Sequence, residues 1–211
     1  MDPARVIYLN VILPADAAIG EFVVIGVTPS GRTVGELTVA IGPGAVIRSH
    51  CVIYAGTRIG CNFQAGHGAL IREFCEIGDY VSIGSHTVIE HHVVLQDGVR
   101  IHSGAFIPEF SILEAGSWIG PNVVFTNARY PRSAAAKSTL VGPRILEGAR
   151  VGANATLLPG VIIGRESLVG AGAVVVENVP DFAVVVGNPS RVVNDVRKLP
   201  AYATPELLLE S

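Results

Sequence analysis

Four polar residues, Glu73, His91, Glu109 and Asn127, follow one another at a spacing of 18 positions. An imidazole between carboxylates suits general-base chemistry, because a neighbouring carboxylate orients the ring and stabilises its protonated form. The four side chains can act together only if the backbone brings positions 18 apart into one column. A repeat whose period divides that spacing would meet this condition.

Large apolar residues recur at every sixth position through most of the chain. The long run comprises Ile41, Ile47, Ile53, Ile59, Ala65, Ile71, Ile77, Ile83, Ile89, Leu95, Ile101, Ile107, Leu113, Ile119 and Phe125. A second run, in a shifted phase, comprises Ile145, Val151, Leu157, Ile163, Val169 and Val175. This period fits neither a helix nor the alternation of a sandwich strand. It predicts a three-sided coil in which each side is a short strand and successive turns stack about 4.8 Å apart.

The repeat predicts an all-β chain with two parts. Residues 1–190 form a β-helix domain, and residues 126–144 interrupt the period as one external loop. Leu13, Ile19 and Ile25 indicate one further turn before the long run. Residues 191–211 are expected to form a helical tail, with one helix over 192–199 and a short final helix that begins at 204–206.

The composition limits the classes of protein that fit. Apolar residues make up 49% of the chain and charged residues 16%, and the net charge is −3. No stretch approaches the roughly 18 apolar residues of a membrane-spanning helix, and no basic stripe suggests nucleic acid. The start of the chain does not resemble a signal peptide. Cys51, Cys61 and Cys75 have no zinc-type spacing. We therefore expect a cytoplasmic protein without membrane or nucleic-acid partners.

The other histidines fall into different columns. His50 and His86 share one column two turns apart, on the preceding face, and His67 and His102 lie nearby. We take His86 and His102 as candidates for substrate contact. His50 and His67 are expected to be structural or interface residues.

The period resembles that of the hexapeptide-repeat transferases over roughly residues 13–190. The resemblance implies a left-handed parallel β-helix, which departs from the usual right-handed crossover, and a homotrimer whose subunits share the active site. Outward Phe74, Phe110 and Trp118 agree with a subunit interface, because a monomer would expose fewer apolar side chains. His92 is expected between Phe74 and Phe110 in its own column.

The segment Val88-Ile89-Glu90-His91-His92 is similar to the Ile-Glu-His segment of bacterial nucleotide-sugar N-acetyltransferases and sialic-acid-type acetyltransferases. This resemblance implies that His91 is the general base, held by Glu73 or Glu109. It also implies acetyl-CoA as the donor, a nucleotide-linked amino sugar as the acceptor, and no required metal. Such relatives often carry an N-terminal nucleotide-binding subdomain, and we expect none here.

Two further segments, 120–132 and 179–191, resemble aminosugar N-acetyltransferases that act on UDP-linked aminoglucuronates. Those enzymes work without a dedicated histidine base, so the two resemblances differ on this point. The substrate-binding candidates are His86, His102, Asn127, Tyr130 and Arg132. The cofactor-binding candidates are Asn188, Pro189, Ser190 and Arg191, which match a Gly-x-Pro-Ala-Lys/Arg pattern with serine in place of alanine, together with Lys137 in the loop.

Three alternatives stay open. A zinc enzyme like the γ-class carbonic anhydrases would use His50, His86 and His91, since three histidines and a water form a sound zinc site. The Arg-Gly-Asp and Asn-x-Gln-Asp stretches of that class are absent from the sequence. An O-acetyltransferase, or an N-acylating enzyme for an amino acid precursor, would use the same coil. A scaffold without activity is the last alternative, and the histidine–carboxylate column argues against it.

Overall fold

The structure, a computed structural model, describes residues 5–203. The chain winds as a parallel β-solenoid of about ten turns, with sheets of nine, eight and ten strands as its three sides. The strands pair in parallel except for the last strand of the ten-stranded sheet, which is antiparallel. Each turn adds one short strand to each sheet. This architecture confirms the three-sided coil that the period predicts.

The strand bounds follow the repeat closely. The first sheet contains β1 (Arg5–Ile7), β4 (Val23–Val27), β7 (Val52–Tyr54), β10 (Leu70–Ile71), β13 (Val88–Ile89), β16 (Phe106–Ile107), β19 (Val124–Phe125), β22 (Thr156–Leu157) and β25 (Val174–Val175). The second contains β2 (Val11–Ile12), β5 (Val39–Ile41), β8 (Arg58–Ile59), β11 (Glu76–Ile77), β14 (Val94–Leu95), β17 (Ile112–Leu113), β20 (Arg144–Ile145) and β23 (Ile162–Ile163). The third contains β3 (Ala18–Ile19), β6 (Val46–Ile47), β9 (Gln64–Ala65), β12 (Ser82–Ile83), β15 (Arg100–Ile101), β18 (Trp118–Ile119), β21 (Arg150–Val151), β24 (Leu168–Val169), β26 (Ala183–Val186) and β27 (Arg191–Asp195).

The register of the strands sets the columns. In the first sheet, Leu70 pairs with Val88, and Val88 pairs with Phe106. Successive turns are therefore 18 residues apart along this part of the chain. Residues at that spacing lie one above another, as the polar residues require.

The periodic apolar residues fill the interior of the coil. Ile53, Ile89, Ile107 and Phe125 are completely buried. Each such side chain contributes about 1.5–3 kcal/mol through the burial of apolar surface. Because no single turn covers its own apolar face, stability comes from stacking.

The first turns differ in detail from the expectation. The predicted turn is present: Leu13 directly follows β2, and Ile19 and Ile25 lie in β3 and β4. A further strand, β1, precedes it and pairs in parallel with β4. Residues 28–38 connect β4 to β5 as an insertion that the sequence analysis did not predict.

The helix predicted over 192–199 is wrong. Its first part is β27, which pairs antiparallel with β26 at the end of the third sheet. Val192 and Val193 are β-branched and favour a strand, and the last strand of the coil offers unpaired backbone groups. Helical structure begins only with a 3-10 turn, Val196–Lys198, followed by the helix Pro200–Ala203. The final helix predicted from 204–206 lies outside the described residues.

The loop interrupts the coil where the sequence predicted it. It contains a 3-10 turn, Ala136–Thr139, and ends one residue earlier than predicted because Arg144 already belongs to β20. No helix in the described range 5–203 has the length and apolar character that a membrane span requires.

Candidate active site

One edge of the coil carries the predicted catalytic residues. We call it the ladder edge: it is the corner between the first and second sheets, formed by residues 54–56, 72–74, 90–92, 108–110 and 126–127. Both insertions of the coil, 28–38 and 126–143, leave from this same corner. The ladder residues therefore lie on the stretch of edge between two projecting segments.

His91, Glu109 and Asn127 form a continuous chain of contacts along the ladder edge. The Nε2 atom of His91 lies 3.5 Å from Oε1 of Glu109. The amide of Asn127 donates a hydrogen bond of 2.5 Å to Oε2 of Glu109. The side chains of His91 and Glu109 are 28% and 24% exposed, so both are shielded yet reachable. The predicted column is present in the fold.

Glu73 has a different main partner. The Arg72 guanidinium donates to both its carboxylate oxygens, at 2.8 and 2.9 Å, and also contacts Glu90 at 3.2 Å. Burial of Glu73 opposes ionisation, but the Arg72 guanidinium and the His91 ring hold the pKa of its carboxyl below the usual value. Of the two carboxylates predicted to hold His91, only Glu109 touches the ring.

Arg72 was not predicted from the sequence, although the 18-residue spacing of the ladder also places it. Tyr54, Arg72 and Glu90 form the adjacent column, and the guanidinium lies 5.0 Å from the centre of the Tyr54 ring. The order aromatic, cation, carboxylate along one column was the available signal. Arg72 neutralises part of the negative charge at the ladder edge.

His92 contacts the candidate base directly. Its Nδ1 atom lies 2.8 Å from Nδ1 of His91. Its ring lies between Phe74 and Phe110, at centroid distances of 5.0 and 5.7 Å, as the column predicts. All three stacked residues have a left-handed backbone, with φ of 58°, 57° and 65° for Phe74, His92 and Phe110. This conformation costs about 1 kcal/mol per residue, and ring stacking offsets part of it.

The predicted substrate contacts His86 and His102 lie on another edge. They follow strands β12 and β15 of the third sheet, at the corner where the chain turns to the first sheet. His86 is exposed. Within one chain, the fold does not bring these two histidines to His91.

His102 lies in a shallow depression over the third sheet, which we call the third-sheet trough, lined by Arg48, Gln64, His67, Ser82, Arg100 and His102 among others. The His102 ring lies 4.7 Å from the Trp118 ring. Its Nε2 atom is buried without a hydrogen-bond partner. Burial, with a smaller effect of Arg100, lowers the pKa of His102.

The loop candidates Tyr130, Arg132 and Lys137 are exposed, Tyr130 to 71%. The loop that carries them leaves the ladder edge at Asn127 and closes through a backbone bond from Val141 to the Asn127 carbonyl. It therefore starts beside the ladder edge, although none of the three side chains has a hydrogen bond or ion pair to it in the described part of the chain.

The carboxyl-terminal candidates lie at the end of the coil. Ser190 and Arg191 line a cavity there together with Glu177 and Asn178. The Arg191 guanidinium donates a hydrogen bond to the Ser190 carbonyl, while Asn188 and Pro189 are exposed. By strand register Glu177 is four turns above His91 on the same edge, which corresponds to about 19 Å.

The histidines of the zinc alternative do not converge within one chain. His50 and His86 share the corner between the third and first sheets, and His91 lies on the ladder edge. Among residues 5–203, no group of three or more His, Cys, Asp or Glu side chains is arranged to hold a metal ion.

Known proteins share both the six-residue repeat and the fold of this chain. The bacterial transferase hexapeptide model matches residues 56–91 and 142–176 as six repeats. The solved UDP-N-acetylglucosamine acyltransferase of Campylobacter jejuni superimposes with a TM-score of 0.69 at 15% identity, covering 97% of this chain and 80% of that one. The superposition shows the fold of a left-handed β-helix, and the matched repeats, about a third of the chain, are similar to those of the bacterial hexapeptide transferases.

Curated relatives match shorter parts of the chain. The dTDP-3-amino-3,6-dideoxy-alpha-D-galactopyranose 3-N-acetyltransferase of Aneurinibacillus thermoaerophilus is 46% identical over 48 residues, which is 23% of this chain and 25% of the relative. The serine acetyltransferase of Bacillus subtilis is 35% identical over 105 residues, 46% of this chain and 48% of the relative. The matched part of the chain thus covers from a quarter to about half of the length of these relatives.

Proposed function

We propose that this protein is an acetyl-CoA-dependent N-acetyltransferase that acetylates the amino group of a nucleotide-linked amino sugar. The contact between His91 and Glu109, backed by Asn127, carries the proposal. In it, His91 is the general base, and the Glu109 carboxylate stabilises the imidazolium that forms when the ring takes a proton. The curated relatives are named acetyltransferases, which supports the same reaction type.

The charges around His91 favour an amine over a hydroxyl as the acceptor. Three carboxylates, Glu73, Glu90 and Glu109, lie along this part of the ladder edge, and Arg72 is the cation paired among them. The negative balance attracts an ammonium group. An ammonium cannot attack a thioester, so the acceptor must lose a proton, and the His91 ring lies where that proton can be taken up. The named activity of the Aneurinibacillus relative is also an N-acetyl transfer.

Acetyl-CoA fits the length of the ladder edge. The cavity at Ser190 and Arg191 lies about four turns above His91, or roughly 19 Å, which suits an extended pantetheine arm. In this proposal Arg191 meets the 3′-phosphate, with Asn188 and Pro189 beside it, because a guanidinium binds phosphate oxygens in pairs. Lys137 contributes a further charge to CoA from the loop.

The nucleotide sugar would be held by the loop, with Arg132 near its phosphates and Tyr130 against its base. A homotrimer would complete the site, since a neighbouring subunit can supply the His86 and His102 that a single chain keeps away from His91. Five outward apolar residues of the first sheet give such an interface a surface: Val52, Leu70, Val88, Phe106 and Val124. Cytoplasmic location stays a prediction from sequence.

Screening for thiol release tests this function. Purified protein with acetyl-CoA is assayed against dTDP- and UDP-linked amino sugars and against the matching sugars with a hydroxyl at the same carbon. We expect thiol release with at least one amino sugar and a much slower reaction with its hydroxyl counterpart. Release only with hydroxyl acceptors would replace the proposal by O-acetylation, and stoichiometric zinc with carbon dioxide hydration would replace it by the zinc alternative.

A further inference from the structure

His91 and His92 face each other through the same ring atom. A contact of 2.8 Å joins their Nδ1 atoms, and a hydrogen bond of this kind needs a proton on one of the two atoms only. Two arrangements satisfy that condition. Either His91 donates from Nδ1 and keeps a free lone pair on Nε2, or His92 donates and His91 carries its proton on Nε2.

Only the first arrangement leaves His91 able to act as a base. In the second arrangement its Nδ1 lone pair is used by His92 and its Nε2 already holds a proton, which points toward Glu109 at 3.5 Å. In the first arrangement Nε2 is free to accept a proton. Once it has done so, Nδ1–H still donates to His92 and Nε2–H faces the Glu109 carboxylate, so both donors of the imidazolium have partners.

We propose that His92 is a positioning residue, which accepts the Nδ1 proton of His91 and thereby keeps Nε2 of His91 available as the proton acceptor. This inference rests on the function proposed above. An acceptor that binds as the ammonium first releases one proton to solvent, by way of His91, and becomes the neutral amine. In the transfer step this amine forms the C–N bond to the acetyl carbon, and its second proton moves to Nε2 of His91. The C–S bond breaks, CoA leaves as the thiolate, and the proton passes from His91 to thiolate or solvent.

The surroundings of His92 fix its ring for this task. Phe74 and Phe110 enclose the ring, and its backbone N–H donates to the Glu73 carbonyl at 3.2 Å. A clamped ring holds the acceptor atom in one place, which is what a tautomer-setting partner requires. His50 provides a comparison: it also has a left-handed backbone and stacks on Phe22 at 5.0 Å, but within residues 5–203 no hydrogen bond joins its ring to another histidine.

Three substitutions separate positioning from packing. His92→Phe keeps an aromatic ring between Phe74 and Phe110 but removes the acceptor atom. His92→Asn places an amide oxygen near the Nδ1 position, and asparagine tolerates the left-handed backbone. His50→Phe is the matched control at a similar corner on another edge.

The readouts are the protonated ring nitrogen of His91, from ¹⁵N NMR of labelled histidine, and the steady-state constants for acetyl transfer. We expect His91 to carry its proton on Nδ1 in the unmodified protein and in His92→Asn, and to change to Nε2 in His92→Phe. The kcat of His92→Phe should fall roughly 10- to 100-fold with an unchanged KM for acetyl-CoA. His92→Asn should recover most of that loss, and His50→Phe should match the unmodified protein.

An Nε2-protonated His91 in the unmodified protein, or an equal kcat in His92→Phe, would overturn the positioning role. Equal losses in His92→Phe and His92→Asn would also overturn it, since they would indicate packing. The NMR result does not depend on finding the substrate. Failure of the function itself would instead appear as an absence of thiol release, or as no effect of His91→Ala, with the tautomer still as expected.

Discussion

The ladder edge and the third-sheet trough present histidines in opposite electrostatic surroundings. His91 contacts the Glu109 carboxylate and a second imidazole. His102 lies near Arg100, with Arg48 farther along the trough, and no carboxylate lines the trough among the described residues. Both histidines sit at corners of the same coil with the same repeat. The comparison shows that the backbone is alike at both corners and that the side chains in adjacent columns set the electrostatic surroundings of each imidazole.

The largest expected effect separates the two histidines by activity. His91→Ala should lower kcat/KM for acetyl transfer by roughly 10²–10⁴-fold, because a general base contributes an effect of that size. His102→Ala should act mainly through the KM of the sugar substrate, since His102 is a candidate for substrate contact only. Steady-state kinetics of both variants checks this. Equal losses of kcat would remove the distinction between the two regions.

Core substitutions behind the ladder edge and behind the third-sheet trough should lower the stability of the protein by similar amounts. Ile89 directly precedes Glu90 at the ladder edge and Ile101 directly precedes His102 in the third-sheet trough, and they are 0% and 2% exposed. Substitution of either by alanine should lower the free energy of unfolding by about 2–5 kcal/mol, through lost burial and a residual cavity. Denaturant unfolding followed by circular dichroism measures both values. A large loss in the free energy of unfolding for only one of the two variants would show that the core does not stabilise both regions equally.

The pH dependence of stability should also distinguish the regions. Because the folded-state pKa of His102 lies below the ordinary 6.5, the unfolded chain binds its proton first, and stability should fall as the pH drops below that value. The pKa of Glu73 lies below the ordinary 4.5, so its contribution is present above 4.5 and is lost as the pH falls through the folded-state value.

Two variants test those windows in thermal unfolding measured across pH. His102→Phe should flatten the loss of stability that begins near pH 6.5. Arg72→Gln should weaken the protein at neutral pH and converge with the unmodified protein in acid, where Glu73 is protonated in both. If the stability of His102→Phe falls below pH 6.5 in the same way as that of the unmodified protein, burial of this imidazole does not affect the pH dependence of stability.

The smallest expected effect concerns the end of the coil. Arg191→Gln should raise the KM for acetyl-CoA by about tenfold, the loss of one charge-assisted phosphate contact, with little change in kcat. Arg132→Gln is the matched control, because it removes a loop charge assigned to the sugar nucleotide. A rise in the acetyl-CoA KM for Arg132→Gln alone would exchange the two assignments.

The period of six in the sequence predicts the coil, the columns of residues 18 positions apart, and the contact between His91 and Glu109. Vertical neighbours follow from the turn length alone. The pairing of Glu73 with Arg72 was not predicted, because it depends on which way a long side chain turns between adjacent columns. The left-handed backbone at position 92 follows the period, since positive φ recurs at every sixth residue from His50 to Asn122. The contact between His91 and His92 was not predicted because it depends on the side-chain rotamers of the two rings, which the period does not specify.

The carboxyl-terminal strand was missed for a different reason. Residues 191–195 pair with an edge that exists only once the coil has formed, so the pairing is a tertiary effect that a local pattern of helix-forming residues does not contain. The insertion 28–38 was overlooked because it precedes the region of regular repeats.

A crystal structure of the protein with bound CoA tests the central claim most directly. The account predicts that the thiol sulfur lies at the ladder edge beside Nε2 of His91, with the nucleotide end toward Arg191. A sulfur atom beside His102 in the third-sheet trough of the same chain, with Nε2 of His91 far from it in every subunit, would contradict the account.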